Sequence, residues 1–196
     1  MKKTLLALAI SIGVVAATLG TPALAKSIPA KGADGNWISA KSDDAGNNTF
    51  SFREFSFDGN NWNVKYTLYL DEAKTMPVFV FRGIGTYSVT GKSKKVKGAS
   101  EALFLFDKKT LTLMTDNADL INNLGFANCK LEKGVERDIS ETGCSFVAPL
   151  AKCNREYDLL KVVAKKLFLG ARPADNNMCT LDKRPNALGD TLIRKE

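Results

Sequence analysis

The sequence predicts a mainly β fold: an antiparallel β-barrel, or a strongly curved half-barrel, with one short helix and two disulfides. From Gly35 to Met114, apolar and polar residues alternate through several segments with the period of half-buried strands. One later segment has the apolar spacing of a helix, and four cysteines lie in the C-terminal part of the chain. Many antiparallel strands with one short helix are typical of a barrel or a strongly curved sheet.

The first two long strands are predicted to form a hairpin. Apolar residues alternate over Phe50–Phe57, but the alternation slips by one residue at Arg53-Glu54, which indicates a β-bulge. The run Asp58-Gly59-Asn60-Asn61 is rich in turn-forming residues and should connect this strand to the next. The second strand has four apolar residues on one face: Val64, Tyr66, Leu68 and Leu70.

Two further strands are predicted from the same alternation. One covers Val78–Thr90, and the other covers Ala99–Phe106 and resumes over Thr110–Met114 after a short polar run. Gly83 and Gly85 fall on the apolar side of the first of these strands, where they leave a groove or allow a sharp bend. We expect the concave face of the sheet to carry Phe79, Phe81, Tyr87, Leu103 and Leu105.

The C-terminal half begins with the predicted helix. Thr115 or Asp116 can cap it, and Gly125 should end it. Further along, Tyr157–Val163 and Lys166–Leu169 have the pattern of short strands, although a helix over most of this stretch is an alternative. We find no internal repeat and no low-complexity linker, so the sequence predicts a single domain.

The N-terminus has the three parts of a secretory signal peptide. A positive start at Lys2-Lys3 precedes an apolar run over Leu5–Ala17, and Ala23-Leu24-Ala25 matches the small–x–small cleavage pattern. The apolar run is shorter than the ~20 residues of a membrane span, and no other stretch approaches that length. We therefore expect cleavage after residue 25, a domain over residues 26–196 without a membrane span, and a periplasmic or secreted location.

The four cysteines, Cys129, Cys144, Cys153 and Cys179, predict two disulfides in an exported chain. Three pairings are possible for four cysteines. We predict the pairing of nearest neighbours along the chain, Cys129 with Cys144 and Cys153 with Cys179. The segment between the first two cysteines is polar enough to form a hairpin excursion.

The chain contains no histidine, which removes the Ser/His and Cys/His nucleophile pairs, the usual zinc ligands and the commonest general base. Asp43-Asp44 and the pair Asp116 and Asp119 are too sparse for a calcium loop. We therefore predict no enzymatic activity, no metal site and no cofactor. The basic turn Lys92–Lys97 is interpreted as a solvated hairpin tip, or alternatively as a contact for an anionic envelope surface; a nucleic-acid partner is not expected.

Gly35-Asn36-Trp37 matches the Gly-x-Trp that opens the first strand of lipocalin-type barrels, where the tryptophan closes the barrel floor. Seven segments also occur in the order found in a second group of proteins: Gly35–Ser39, Phe52–Phe57, Tyr66–Leu68, Lys97–Ala102, Thr115–Gly125 with Cys129, Leu167–Gly170 and Arg184-Pro185. Together they resemble the extracellular domain of the "adenomatosis polyposis coli down-regulated" proteins, over roughly residues 35–185.

That resemblance implies a lipocalin-like, open β-barrel with a hydrophobic pocket for lipid. Animal members of the family antagonise lipid-modified Wnt signals at the outer cell surface. This chain has one copy of the domain and fewer cysteines. The resemblance therefore implies the barrel and an apolar ligand for this chain, and not the Wnt role of the animal proteins.

The leading hypothesis is an exported binding protein for a lipid or another apolar small molecule. Phe79, Phe81, Tyr87, Leu103 and Leu105 would form the pocket wall, and Trp37 the floor. The alternative is a protein-interaction module with a packed barrel, such as an inhibitor, an envelope partner or a binder of lipidated Wnt-type proteins. Phenylalanine-rich strands fit both a cavity and a packed core, because a small barrel can have either.

Overall fold

Ten antiparallel strands make up the sheet in residues 30–196, the part of the chain that a computed structural model of the protein describes. The strands are β1 (Gly35–Ser39), β2 (Asp43–Gly46), β3 (Thr49–Asp58), β4 (Asn61–Tyr69), β5 (Pro77–Lys92), β6 (Ser100–Leu113), β7 (Glu136–Asp138), β8 (Arg155–Val163), β9 (Lys166–Leu169) and β10 (Leu192–Arg194). Helix α1 (Ala118–Asn123) and two short 3₁₀ turns, Ala127–Cys129 and Leu181–Lys183, lie in the connections. The predicted signal peptide, residues 1–25, lies outside the described residues.

Eight of the strands close into a barrel because β1 pairs with two partners, β10 and β3. The order around the barrel is β1-β10-β9-β8-β6-β5-β4-β3. Strand β2 pairs with β3 and strand β7 pairs with β6, both outside this circle. The predicted antiparallel β-barrel with one short helix and two disulfides is confirmed.

The β3–β4 hairpin forms around the predicted turn, where Gly59 has a positive φ of 56°. The predicted bulge at Arg53-Glu54 is wrong, because β3 pairs with β4 without a register shift from Phe50 to Asp58. The even-numbered Phe52 therefore faces outward, where the Lys74 ammonium lies 4.0 Å from its ring centroid. The inward position next to it is taken by a polar residue, Arg53, because this end of the strand lines a cavity rather than a packed core.

Strand β6 contains the bulge that the sequence did not reveal. The two predicted segments form one continuous strand, and its register against β5 shifts at Asp107. One extra residue reverses which side chains face inward. Before the bulge the inward residues are Ala102, Phe104 and Phe106, and after it they are Lys109, Leu111 and Leu113.

Side chains inside and beside the barrel form two clusters. The barrel cluster includes Trp37, Phe55, Phe57, Trp62, Tyr87, Phe104, Phe106 and Leu160. The cap cluster includes Leu68, Phe79, Leu111, Phe126, Ile139 and Cys144. Ile121 and Leu124 of the α1 region pack against the cap cluster, so the helix covers one part of the barrel.

The C-terminal half confirms most of its predicted features. The disulfides join Cys129 to Cys144 and Cys153 to Cys179, as predicted, with Cα atoms 5.5 Å apart in both. The stretch predicted as two short strands forms β8 and β9, so the alternative helix there is wrong. Helix α1 is capped by Asn117 and not by Thr115 or Asp116, because the Asn117 side chain is the one that accepts hydrogen bonds from the first-turn amides.

Candidate ligand-binding cavity

A cavity of ≈ 820 Å³ lies inside the barrel, bordered by residues of both clusters. Its walls are mainly apolar because the inward faces of β3, β4, β5 and β6 contribute alternate aromatic and aliphatic residues. Exposed residues among the lining, such as Asn47, Leu70 and Phe146, mark its opening to solvent. Eight aromatic side chains line it: Phe55, Trp62, Tyr66, Phe79, Phe81, Phe104, Phe106 and Phe146.

Two of the predicted pocket residues, Phe79 and Phe81, line this cavity. Trp37 and Tyr87 are fully buried in the barrel cluster and are not part of the lining. The Trp37 indole donates to the Ala33 carbonyl at 2.6 Å, and the Tyr87 hydroxyl accepts from the Ala30 amide at 3.2 Å. Both side chains therefore belong to the packed part of the barrel.

The placement of Leu103 and Leu105 on the concave face is wrong. Tyr87 lies opposite Phe104 in the β5–β6 pairing, so Phe104 shares its inward side and the two leucines face outward. The leucines are half-buried there, and Phe104 and Phe106 line the cavity. The alternation of β6 is compatible with either face until the bulge at Asp107 and the partner strand are known.

The bulge is held by close backbone packing between β5 and β6. A side chain at Gly85 would collide with the Leu105 carbonyl, so only glycine fits there. The same carbonyl accepts a hydrogen bond of 3.1 Å from the Trp62 indole. These contacts determine which β6 residues face the cavity.

Two ion pairs lie on the cavity wall. The Arg172 guanidinium binds both carboxylate oxygens of Glu156, at 2.6 and 3.0 Å. The Arg53 guanidinium contacts the Asp43 carboxylate at 3.0 Å, and both side chains are largely buried. In each pair a cation that lines the cavity is neutralised by its own carboxylate.

Asp158 also lines the cavity and is 5% exposed. Its carboxyl oxygen accepts hydrogen bonds from the amides of Leu159, at 2.6 Å, and Gly170, at 2.8 Å. Burial raises the pKa of Asp158 to about 7, although the two amide hydrogen bonds oppose the shift. This carboxyl group therefore keeps its proton to a higher pH than an ordinary aspartate does.

Lys109 is the site residue that sequence reasoning missed. It lines the cavity and is 4% exposed, and its ammonium donates to the Ala148 carbonyl at 3.0 Å and the Cys153 carbonyl at 2.7 Å. The ammonium lies 4.6 Å from the Phe106 ring centroid. Burial lowers its pKa. The sequence places Lys109 in a short polar run between two predicted strand segments, whereas two alternating runs that meet one residue out of phase also indicate a bulge.

No protein-family model matches the chain, and the resemblance noted above stays a prediction. Within residues 30–196, no helix is long and apolar enough to cross a membrane. Two disulfides indicate an oxidising compartment, since such bonds are rare in the cytosol.

Proposed function

We propose that this protein is an exported binding protein that holds a lipid or another apolar small molecule in the barrel cavity. The observation that carries the proposal is the ≈ 820 Å³ cavity with mainly aromatic and aliphatic walls. Small-molecule sites typically have volumes of ~300–1,000 Å³ and mostly apolar linings. An eight-stranded barrel is also about wide enough for one small ligand.

The size of the cavity argues against the packed barrel of the interaction-module alternative. A packed barrel would leave no such space, whereas this one opens to solvent and is filled by water when no ligand is bound. The apolar walls favour a ligand that removes their surface from water.

Nile red, a neutral apolar dye, tests the proposal directly. We expect saturable binding with a fluorescence increase, and displacement of the dye by lipid extracted from the native host. Native mass spectrometry of the purified protein, followed by organic extraction, should show a co-purifying apolar molecule. A protein that neither binds the dye nor carries an extractable ligand would contradict the proposal and favour the interaction module.

Two variants locate the binding to the cavity. Phe81→Ala enlarges the wall and should change the affinity for Nile red severalfold, because Phe81 lines the cavity. Leu103→Ala is the matched control on the outer face of β6 and should leave the affinity unchanged. Equal effects of the two substitutions would place the dye elsewhere on the protein.

A further inference from the structure

Two of the three cations that the described residues place on the cavity wall are in direct contact with a carboxylate, and the third is not. Arg172 is bound by Glu156, and Arg53 by Asp43. Lys109 has no carboxylate within 4.0 Å among the described residues; its partners are two backbone carbonyls and the face of a phenyl ring. Glu156, which Arg172 binds, acts on Lys109 only at longer range. The wall therefore holds one buried cation without a carboxylate in direct contact.

The Lys109 ammonium has one donor left for a ligand. It carries three N–H groups, and the carbonyls of Ala148 and Cys153 accept two of them. A buried charge is costly unless it is paired, and an anion inside the cavity would complete its coordination. Asp158, the remaining acid on the wall, is bound by backbone amides of its own surroundings.

Apolar surface adjoins this cation on the cavity wall. The Phe106 ring lies directly beside the ammonium, and Phe81 packs near Phe106 with ring centroids 6.5 Å apart. Phe104 and Trp62 continue the aromatic wall, with their centroids 4.9 Å apart. A ligand with its charged headgroup at Lys109 would thus have aromatic surface directly beside it for its alkyl chain.

We propose that Lys109 binds the anionic headgroup of the ligand, so that the cavity selects amphiphiles with a single carboxylate over neutral lipids of the same chain. This inference rests on the proposed function and specifies its ligand class. The carboxylate accepts a charge-assisted hydrogen bond from the ammonium. The alkyl chain lies along Phe106, Phe81 and Phe104.

The test compares laurate with lauryl alcohol, which share an alkyl chain and differ in charge. Displacement of Nile red should give an affinity for laurate at least about tenfold higher in the wild type, as expected for one charge-assisted hydrogen bond. Lys109→Met should abolish this preference and leave the affinity for lauryl alcohol within about twofold. Lys108→Met is the matched control. The Lys108 ammonium lies at the surface, 3.5 Å from the Asp138 carboxylate, so the preference for laurate should persist in this variant.

The outcomes separate the two proposals. Equal affinities of the wild type for laurate and lauryl alcohol overturn the headgroup assignment while Nile red binding upholds the proposed function. Absence of binding for all three molecules overturns both. A laurate preference that survives in Lys109→Met assigns the headgroup to another cation and overturns the inference.

A measurement on the wild type guards against a Lys109→Met protein that fails to fold. A carbodiimide converts the carboxylate of bound laurate to an O-acylisourea. An amine in contact with it loses a proton and attacks the acyl carbon, and a urea leaves as the amide forms. Peptide mapping should find the lauroyl group on Lys109. Attachment to a different lysine overturns the assignment.

Discussion

The same barrel is packed at one end and hollow at the other, although both ends carry inward-facing aromatic residues. In the barrel cluster the rings interlock: Phe57 meets Tyr87 edge-on with centroids 5.0 Å apart, and Tyr87 stacks on Phe104 at 5.6 Å. Around the cavity, Phe81 is only partly buried and faces open space. Inward-facing aromatic residues therefore indicate a barrel interior without showing whether that interior is filled.

Polar groups explain part of this difference. Every inward residue named at the packed end is apolar or, like Tyr87, has its hydroxyl hydrogen-bonded. At the hollow end the inward positions include Arg53, Lys109 and Asp158, which need polar partners and cannot form an apolar core. The polar side chains therefore mark the end of the barrel that contains the cavity, and their absence marks the packed core.

Truncating one phenylalanine at each end gives the largest expected contrast. Phe57→Ala should lower the free energy of unfolding by about 3–5 kcal/mol, because it leaves a cavity in the packed end. Phe81→Ala should cost only about 1–2 kcal/mol, since its ring already borders open space. Urea unfolding monitored by circular dichroism measures both, and equal losses would show that the comparison between the two ends is wrong.

The pH dependence of stability tests the polar wall. The pKa of Asp158 is about 7 in the folded protein, against an ordinary value of 3.8, so the folded state holds this proton more tightly than the unfolded state. The contribution of Asp158 is therefore most favourable below about pH 4 and falls as the pH rises to 7, by about 4 kcal/mol in all. Asp158→Asn keeps an oxygen acceptor for the two amides and should remove this decline.

Urea midpoints of the wild type and Asp158→Asn at pH 4, 5, 6 and 7 reveal the effect as a difference between the two curves. Carboxylates away from Asp158 contribute equally to both proteins and cancel, whereas the effect of Glu156 on the pKa of Asp158 is part of the difference. Parallel curves would mean that Asp158 ionises freely in the folded state, which contradicts its burial against the cavity.

The two disulfides allow a smaller, more selective comparison. Cys129–Cys144 joins the cap cluster, whereas both Cys153 and Cys179 line the cavity. Replacing either pair with alanine should cost about 3 kcal/mol through the closed loops of 15 and 26 residues. Only loss of Cys153–Cys179 should also weaken Nile red binding. If both double variants weaken Nile red binding equally, the disulfide of the cap cluster is as important for the binding site as the disulfide in the cavity wall.

Much of the fold follows from local sequence pattern. Alternation of apolar and polar residues identifies β4 and β5 as strands, because the pleat of a strand points successive side chains to opposite faces. The turn-forming residues at Asp58–Asn61 identify the hairpin. The cysteines predicted both disulfides with their pairing. Phe79 and Phe81 were recognised as wall residues from the same alternation.

The sequence by itself determined the antiparallel strands, the hairpin turn and the disulfide pairing, since each follows from residues near one another along the chain. Closure into a barrel joins β1 to β10, which is distant in sequence, so the tertiary structure decided it. Tertiary structure decided the bulge at Asp107, which turned Leu103 and Leu105 outward and brought Phe104, Phe106 and Lys109 to the cavity. A register shift depends on the partner strand, and Gly85 accommodates it by close contact with the Leu105 carbonyl. Whether the barrel is packed or hollow was decided in the same way, because the space inside depends on side chains that distant strands bring together.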